Sequence, residues 1–396
     1  MAAPPTYAAY RDALKGRLLP AAFVDLDGFD ANVAAIARRA GSKPVRVATK
    51  SVRCVALLRR ILAASDAYRG LMAYHPLEAI HLAASGFDDV LIAYPFWHPD
   101  LVERLMDSIA EGRAITAMVD SEAHVAHLGA IAASRGLELP LCLDLDMSSH
   151  YPGLHFGVRR SGITTPEQAL ALAERIRQTA GVRLDGLMGY EAQIAGLPDA
   201  GSGPKSAAIR VLKARSRREV GDRRQRVVHA LAGAGHALRF VNGGGTGSME
   251  STAAEEVVTE IAAGSGFFAP TLFDGYTGFK HLPAAAYAIE ITRRPAPGLY
   301  TCSGGGYPAS GAVDKNKAPS VYLPEGATLL EQEGAGEVQT PVAYAGPETL
   351  NLGDPILMRH AKAGELCERF NTLLLIQSGQ VVDEVRTYRG EGHAYM

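Results

Sequence analysis

Short apolar runs alternate with longer amphipathic stretches over the first two thirds of the chain. The amphipathic stretches, such as 32–39 and 167–175, carry apolar residues at helical spacing. The short runs are AFVDLD (22–27), VRVATK (45–50), GLMAY (70–74), DVLIAYP (89–95), AITAMVD (114–120), LPLCLDLD (139–146), LDGLMGYE (184–191) and LRFVNGGG (238–245). Continuous apolar runs between helices are typical of parallel strands covered on both faces. The eight runs predict a closed (β/α)8 barrel, and the alternative is an open doubly wound sheet.

The pattern changes after about residue 276. Glycine and proline become dense, helical periodicity becomes scarce, and the runs 286–292 and 372–376 are typical of antiparallel strands. The sequence therefore predicts an α/β chain of two domains, a TIM barrel over 21–275 and a smaller antiparallel β domain over 276–396. We expect residues 1–20 to pack on the second domain.

Composition narrows the range of partners. A net charge of −2 over 396 residues provides no field that would attract nucleic acid or an anionic membrane. The basic run over 213–226 alternates with apolar residues, which predicts the solvated face of a helix rather than a nucleic-acid patch. The four cysteines are scattered without a CxxC pair, which argues against a zinc knuckle or a disulfide framework. No signal segment or membrane span is evident, so we expect a cytoplasmic protein.

Lys50 ends the second predicted strand. Active sites of TIM barrels lie at the carboxyl ends of the strands. Partial removal from water lowers the pKa of a lysine at such a position and frees its amine to attack an aldehyde. A strand-end lysine taken alone is also an ordinary surface residue, so this assignment needs a second feature.

The segment 241–248 follows the last predicted strand and reads VNGGGTGS. Glycines let backbone N–H groups converge on a phosphate, and Thr246 and Ser248 add hydroxyl donors. Phosphate sites of barrels often follow the seventh and eighth strands. The alternative is a plain glycine-rich turn. A reactive lysine and a phosphate loop at the same end of one barrel are more specific together than either feature alone.

Several segments, taken in order, resemble those of the fold-type III pyridoxal 5′-phosphate (PLP) enzymes, the group of alanine racemase. The resemblance is closest to the D-threonine aldolase and D-serine dehydratase branch and covers most of the chain. The segments are 24–27 with Asn32, 47–51, 155–161, 243–246, and 259–265 followed by 273–276. Their order and spacing carry the resemblance, which implies PLP as the cofactor.

The resemblance also implies roles by position. Lys50 would carry PLP as a Schiff base and move the proton at Cα. The phosphate would be held by the loop residues Gly244, Gly245 and Thr246, with Tyr276 as an additional donor.

Other residues would surround the cofactor. Arg159 or Arg160, with Arg159 preferred, would contact the phenolic oxygen or the ring of PLP. Tyr190, Glu191 and Gln193 would line the cofactor or the substrate. An ion pair with a nearby arginine is the alternative role of Glu191. Two carboxylates after the sixth strand, Asp144 and Asp146, would orient the arginines.

The chain departs from this branch near its C-terminus. There, the branch binds a divalent metal with a His-x-Asp or His-x-Cys pair, and the metal holds the substrate β-hydroxyl. Here His360 is followed at that spacing by Lys362, which cannot coordinate a metal while it is protonated. Two interpretations stay open. Either His360, Glu365 and Cys367 bind Mn²⁺, Mg²⁺ or Zn²⁺ in an altered geometry, or His360 acts as a metal-free base.

The implied activity is that of a PLP-dependent lyase acting on β-hydroxy D-amino acids. Retro-aldol cleavage to glycine and an aldehyde is preferred, and dehydration with deamination, then racemisation, are the alternatives. A non-catalytic PLP carrier is a single barrel and has no counterpart of residues 276–396. A PLP-free Schiff-base aldolase for sugar phosphates is a third class. The expected partners are an amino-acid substrate and, by resemblance, a second copy of the chain in a homodimer.

Overall fold

The computed structural model describes residues 5–312 and 314–395. Its strands, in chain order, are β1 (Ala21–Asp25), β2 (Val45–Ala48), β3 (Tyr68–Ala73), β4 (Val90–Ile92), β5 (Ile115–Val119), β6 (Leu139–Asp144), β7 (Ser149–Tyr151), β8 (Leu154–Phe156), β9 (Val182–Gly189), β10 (Phe240–Gly243), β11 (Glu260–Ala263), β12 (Ala285–Ala296), β13 (Leu299–Ser303), β14 (Ser320–Leu323), β15 (Thr328–Leu329), β16 (Gln339–Ala343), β17 (Pro355–Arg359), β18 (Thr372–Gln377) and β19 (Gln380–Arg386).

The α-helices are α1 (Tyr7–Ala13), α2 (Leu26–Ala40), α3 (Val55–Ala64), α4 (Pro76–Ala84), α5 (Pro99–Ala110), α6 (Glu122–Ser134), α7 (Pro166–Gln178), α8 (Ala192–Ala195), α9 (Pro204–Gly233) and α10 (Met249–Ala253). Local sequence explains where several of them begin. A capping box between Thr165 and Gln168 starts α7, and the Ser121 hydroxyl accepts a hydrogen bond from the amide of His124 at the start of α6. Short 3₁₀ turns cover Thr49–Ser51, Thr271–Phe273, Lys315–Lys317, Gly364–Glu368 and Arg389–Glu391.

Within the described residues, parallel strands in the order β2-β3-β4-β5-β6-β9-β10-β11 close into a barrel, because β11 pairs with β2. The predicted closed barrel is therefore confirmed over the open sheet. The closing strand β11 is buried at all its residues and lies between β10 and β2. The run 238–245, predicted as the eighth strand, provides the seventh, and Lys50 follows the first barrel strand rather than the second.

The run 22–27, predicted to open the barrel, lies in the other sheet. It forms β1, which pairs antiparallel with β12 and parallel with β18. Phe23 packs in a hydrophobic cluster with Tyr10 and Leu374, whereas Val24 points into the main core. A run that is buried on both faces predicts a central strand, but it does not tell which of two sheets holds that strand.

The remaining long strands form the predicted antiparallel domain. Its sheet runs β15-β16-β13-β12-β1-β18-β19, with β17 paired to β12 and β14 paired to β17. The predicted runs 286–292 and 372–376 correspond to β12 and β18. Both ends of the chain thus contribute to one sheet, and the barrel is formed by the residues between them.

The basic run lies on α9, but part of it is not solvated. Lys213, Arg223 and Arg224 are buried, so the prediction of a solvated face is wrong for these three side chains. The Nζ atom of Lys213 lies 2.9 Å from the carboxylate of Asp199, and Arg224 is 0% exposed beside Glu191. Buried cations of this kind are held by neighbouring carboxylates, so they anchor α9 to the barrel.

Two further observations concern the chain as a whole. Among the described residues, no helix combines the length and the apolar character needed to cross a bilayer. The four cysteines are free and buried.

Candidate active site

Lys50 lies in the 3₁₀ turn that follows β2, at the carboxyl end of the barrel. Its side chain is exposed, and its Nζ atom lies 2.9 Å from the hydroxyl of Tyr94, just beyond β4. Burial opposes ionisation of Tyr94, but the charges and hydrogen bonds of Lys50 and Arg160 outweigh it and lower the pKa of the phenol. The barrel mouth therefore presents an accessible lysine amine whose position is fixed by a tyrosine.

Of the two adjacent arginines, Arg160 is the one that reaches the tyrosine beside this lysine. Its guanidinium lies 5.6 Å from the centre of the Tyr94 ring. Arg159 is exposed and makes no hydrogen bond, ion pair or ring contact with any residue that the structure describes. Burial, then the carboxylate of Asp120, raise the pKa of Asp144 to about 7, and Arg160 acts in the opposite direction. The preference for Arg159 stays without structural support, and Arg160 is better placed to meet a bound cofactor.

The glycine loop, residues 243–248, lies at the same end of the barrel. Gly244 adopts φ +89°, a conformation that favours glycine. The amides of Gly245, Thr246 and Gly247 donate to no protein acceptor within the described ranges. Successive free amides after a left-handed glycine form a concave site for an anion. The loop thus has the geometry expected of a phosphate cradle.

A second short loop, after β11, joins the glycine loop to the lysine turn. The amide of Gly266 donates to the Thr246 hydroxyl at 3.0 Å, and the hydroxyls of Ser265 and Ser51 are 3.2 Å apart. Ser51 is the neighbour of Lys50 in the chain. Lysine, second loop and glycine loop therefore form one continuous surface across the adjacent strands β2, β11 and β10.

A buried ion pair holds the glycine loop in place. Arg224 donates to Glu191 and to the carbonyl of Gly189, both at 2.9 Å. The other oxygen of Glu191 accepts from the Ser248 hydroxyl at 2.9 Å and from Thr252. Glu191 therefore has the alternative role considered from the sequence, pairing with an arginine, and Ser248 supports the loop. Gln193 donates to the carbonyl of Met147 and to Ser216 and is also buried.

Tyr190 and Tyr276 line the glycine loop through their rings. A Cβ atom on Gly245 would meet the Tyr190 ring at 3.1 Å, and one on Gly247 would meet the Tyr276 ring at 2.5 Å. The hydroxyl of Tyr276 donates to the carbonyl of Ala195 at 2.8 Å. In this structure Tyr276 is thus a packing residue with an engaged hydroxyl. To donate to a phosphate, as predicted, Tyr276 would have to exchange its hydrogen bond to Ala195 for one to the phosphate.

The cap segment, residues 358–371, reaches over the lysine turn. A Cβ atom on Gly364 would lie 1.8 Å from the carbonyl oxygen of Lys50, so the two backbones are in direct contact. Arg53 donates to the same carbonyl at 2.8 Å and forms an ion pair with Glu368 of the cap segment. The antiparallel domain therefore completes the mouth of the barrel.

The three candidate metal ligands of the cap segment do not converge. His360 is 1% exposed and neither of its ring nitrogens has a hydrogen-bond partner among the residues that the structure describes, while Cys367 donates to the carbonyl of Val52 at 3.3 Å. Glu365 accepts from the amide of Ser310 at 3.0 Å. No group of three or more His, Cys, Asp or Glu side chains arranged to hold a metal ion occurs in residues 5–312 and 314–395. This donor set does not fit a divalent metal.

The arrangement does fit PLP. The exposed amine of Lys50 can bond to an aldehyde, and the free amides of the glycine loop can receive a phosphate. Arg160 brings a positive charge to the space beside Tyr94, and the cap segment closes the mouth. A barrel with these features and a second antiparallel domain defines the class of fold-type III PLP enzymes.

The comparisons with known proteins agree. The chain belongs to the family described as "Alanine racemase, N-terminal domain", whose model matches residues 24–264. Members of this family are PLP-dependent.

Two curated relatives and one solved structure are similar to the chain. A D-threonine aldolase from Arthrobacter sp. is 26% identical over 70% of this chain and 69% of its own length. A 3-hydroxy-D-aspartate aldolase from Paracoccus denitrificans is 28% identical over 48% of this chain and 44% of its own length. The crystal structure of D-threonine aldolase from Filomicrobium marinum superposes with a TM-score of 0.79 at 20% identity, over 94% of this chain and 95% of that one.

Sequence reasoning missed several residues of the site. Tyr94, Arg53 and Ser265 all lie next to Lys50 or its neighbour Ser51. Tyr94 and Ser265 both follow barrel strands closely, so the rule that active sites lie at the strand ends could have found them. Arg224 comes from a helix far along the chain from Glu191, and no local pattern signals their contact.

Proposed function

We propose that the protein is a PLP-dependent lyase that cleaves β-hydroxy D-amino acids by a retro-aldol reaction. The observation that carries the proposal is the continuous surface from Lys50 through Ser265 to the free amides of the glycine loop, closed by the cap segment. The names of the relatives, D-threonine aldolase and 3-hydroxy-D-aspartate aldolase, support the substrate class.

The protein's own residues have distinct tasks in this reaction. Bound PLP supplies an electron sink for the pair released at Cα when the Cα–Cβ bond breaks. Lys50 holds the cofactor through its amine and, once free, carries the proton to Cα. Tyr94 fixes the position of that amine, and Arg160, beside the Tyr94 ring, would contact the cofactor ring. The glycine loop binds the phosphate, and Arg224 with Glu191 keeps the loop in place.

The cap segment decides what happens at the β-carbon. We place His360 in this task as the acceptor of the β-hydroxyl proton, because both of its ring nitrogens are without a partner in the described part of the chain. The segment also separates this chain from single-barrel PLP carriers, because a second domain covers the lysine turn. Excluding water at this point protects the reacting centre from side reactions.

The test is a screen of D- and L-β-hydroxy amino acids with the PLP-loaded protein, with products identified by mass. Glycine plus an aldehyde supports retro-aldol cleavage, a 2-oxo acid plus ammonia indicates dehydration, and inverted amino acid indicates racemisation. No visible absorption from bound PLP would contradict all three and favour a PLP-free Schiff-base aldolase. Running each assay with and without EDTA tests the need for a metal.

The assembly and location are also part of the proposal. We propose a homodimer, because the family builds its sites at subunit contacts, and sedimentation analysis tests this. We propose a cytoplasmic location, which the four free, buried cysteines support.

A further inference from the structure

Lys362 lies at the point where the cap segment meets the lysine turn. Gly364, two residues further along, touches the carbonyl of Lys50. The charges of Lys50, Lys317 and Glu365 all act on the ammonium group of Lys362. Lys362 is therefore a second cation at the barrel mouth, near the lysine that is proposed to hold the cofactor.

The neighbours of Lys362 hold its side chain in place but use only two of its three N–H donors. Its Nζ atom donates to the carbonyl and to the hydroxyl of Ser310, at 2.7 and 3.0 Å. Ser310 in turn is fixed through its amide, which donates to the carboxylate of Glu365. An ammonium group has three N–H donors, so one remains for a ligand.

The ammonium groups of Lys362 and Lys317 both approach Gly311. A Cβ atom on Gly311 would lie 3.8 Å from the Nζ atom of Lys362 and 4.0 Å from that of Lys317. Two ammonium groups thus face the same small region, where an oxygen of negative character would be stabilised.

We propose that Lys362 takes the place of the divalent metal and binds the β-oxygen of the substrate, so that the enzyme works without a metal ion. The inference rests on the proposed function. It follows from the donor set, since Lys362 occupies the second position after His360 and the candidate metal ligands do not converge. An ammonium group supplies positive charge and a hydrogen bond to the oxygen, which are the interactions that hold a hydroxyl and stabilise it as charge develops.

The experiment compares the PLP-loaded wild type with Lys362→Met and Lys362→Arg, and uses the exposed Lys280→Met as the matched control. D-Threonine is assayed for cleavage. D-2-Aminobutyrate, which is D-threonine without the β-hydroxyl, is titrated as a competitive inhibitor and through the change in cofactor absorption. Metal content is measured by mass spectrometry after dialysis against EDTA.

We expect the EDTA-treated wild type to be free of stoichiometric metal and to keep its activity within about twofold. Lys362→Met should lower kcat/KM for D-threonine by roughly 10²–10³-fold, the loss typical of removing one donor to a developing negative charge. Its affinity for D-2-aminobutyrate should stay unchanged, and Lys362→Arg should recover part of the activity. Lys280→Met should match the wild type.

Three results would overturn the inference. One is a wild type that loses activity with EDTA and regains it with Mn²⁺. Another is a Lys362→Met variant that cleaves D-threonine as the wild type does. The third is equal weakening of both ligands, which would make Lys362 structural. If the wild type cleaves no β-hydroxy amino acid, the proposed function fails instead, and absorption titrations with D-threonine and D-2-aminobutyrate still decide whether Lys362 recognises the hydroxyl.

Discussion

The glycine loop and the cap segment meet at the same barrel mouth, yet they are built in different ways. The loop acts through its backbone, with a left-handed Gly244 and three free amides. The cap segment acts through side chains on an irregular path that touches Lys50. A backbone site keeps its ligand as long as its fold is kept, whereas a side-chain site changes its chemistry with one substitution. Under the proposed function, the comparison therefore separates cofactor binding, assigned to the loop, from the choice of reaction, assigned to the cap segment.

The largest effect is expected at Lys50, where the two regions meet. Lys50→Ala removes the amine proposed to hold the cofactor and to return the proton, so turnover should fall by more than about 10³-fold. Borohydride reduction of the wild type, followed by peptide mapping, should place the pyridoxyl group on Lys50. Finding that group on Lys280, Lys315 or Lys362 would contradict the assignment.

A change in the cap segment should affect the reaction and spare the cofactor. His360→Ala removes the proposed acceptor of the β-hydroxyl proton and should lower turnover by roughly 10²–10⁴-fold. The absorption spectrum of bound PLP should stay the same. Because His360 is fully buried, thermal unfolding must be measured alongside; turnover equal to that of the wild type would assign the segment a purely structural role.

A change in the glycine loop should instead weaken cofactor binding. Gly244→Val places a branched side chain at φ +89° and within 2.9 Å of Ile261, so the amides lose their arrangement and PLP affinity should fall by about tenfold or more. Equilibrium dialysis of PLP measures this. The matched control is Gly235→Val, which has φ +82° with nothing within 4 Å and should bind PLP normally. Equal PLP affinity in both variants would give the loop another role.

The last effect, on stability rather than on activity, concerns Glu78, which contacts both domains. It is fully buried, accepts from the amide of Tyr74 at 2.7 Å, and interacts with Thr49 beside Lys50 and with Tyr388 of the second domain. Burial raises the pKa of this carboxyl to about 7. The native state therefore keeps a proton that the unfolded chain loses, so the free energy of unfolding should fall as the pH rises from about 4.5 to about 7.

The expected size of this loss is about 3 kcal/mol, from a shift of roughly two to three pKa units. Glu78→Gln should flatten this part of the stability profile, and the exposed Glu122→Gln should leave it unchanged. Urea unfolding at a series of pH values measures both. A slope that persists in Glu78→Gln would assign the pH dependence to other groups, of which Asp144 is the first candidate.

The sequence was sufficient for the features that depend on local pattern. Buried strands and glycine spacing predicted the barrel and the amide loop, and the position of Lys50 after a strand predicted where its amine would lie. The sequence was not sufficient where the place of a segment in the fold depends on partners that are distant along the chain. The run 22–27 is as apolar as a barrel strand, and only its pairing with β12 and β18 places it elsewhere.

The same limit applies inside the site. The basic run on α9 has the alternation of a surface helix, but Arg224 is enclosed because Glu191 and Glu255 lie opposite it. The spacing of His360, Glu365 and Cys367 shows only that three possible ligands lie close together in the sequence. It does not tell in which direction their side chains point. Their separate partners, Val52 for Cys367 and Ser310 for Glu365, become visible only in three dimensions.

The position of β1 has a consequence for biosynthesis. Val24 leaves the ribosome long before its partner Leu375. Nascent barrel strands can find one another while the chain is still being made, but the pairing of β1 with β18 has to wait until β18 has been synthesised. Until β12 and β18 have been made, β1 is an unpaired apolar strand, open to chaperones and to aggregation. The cap segment is contiguous with this late sheet, so the mouth of the barrel is closed only after the sheet has formed.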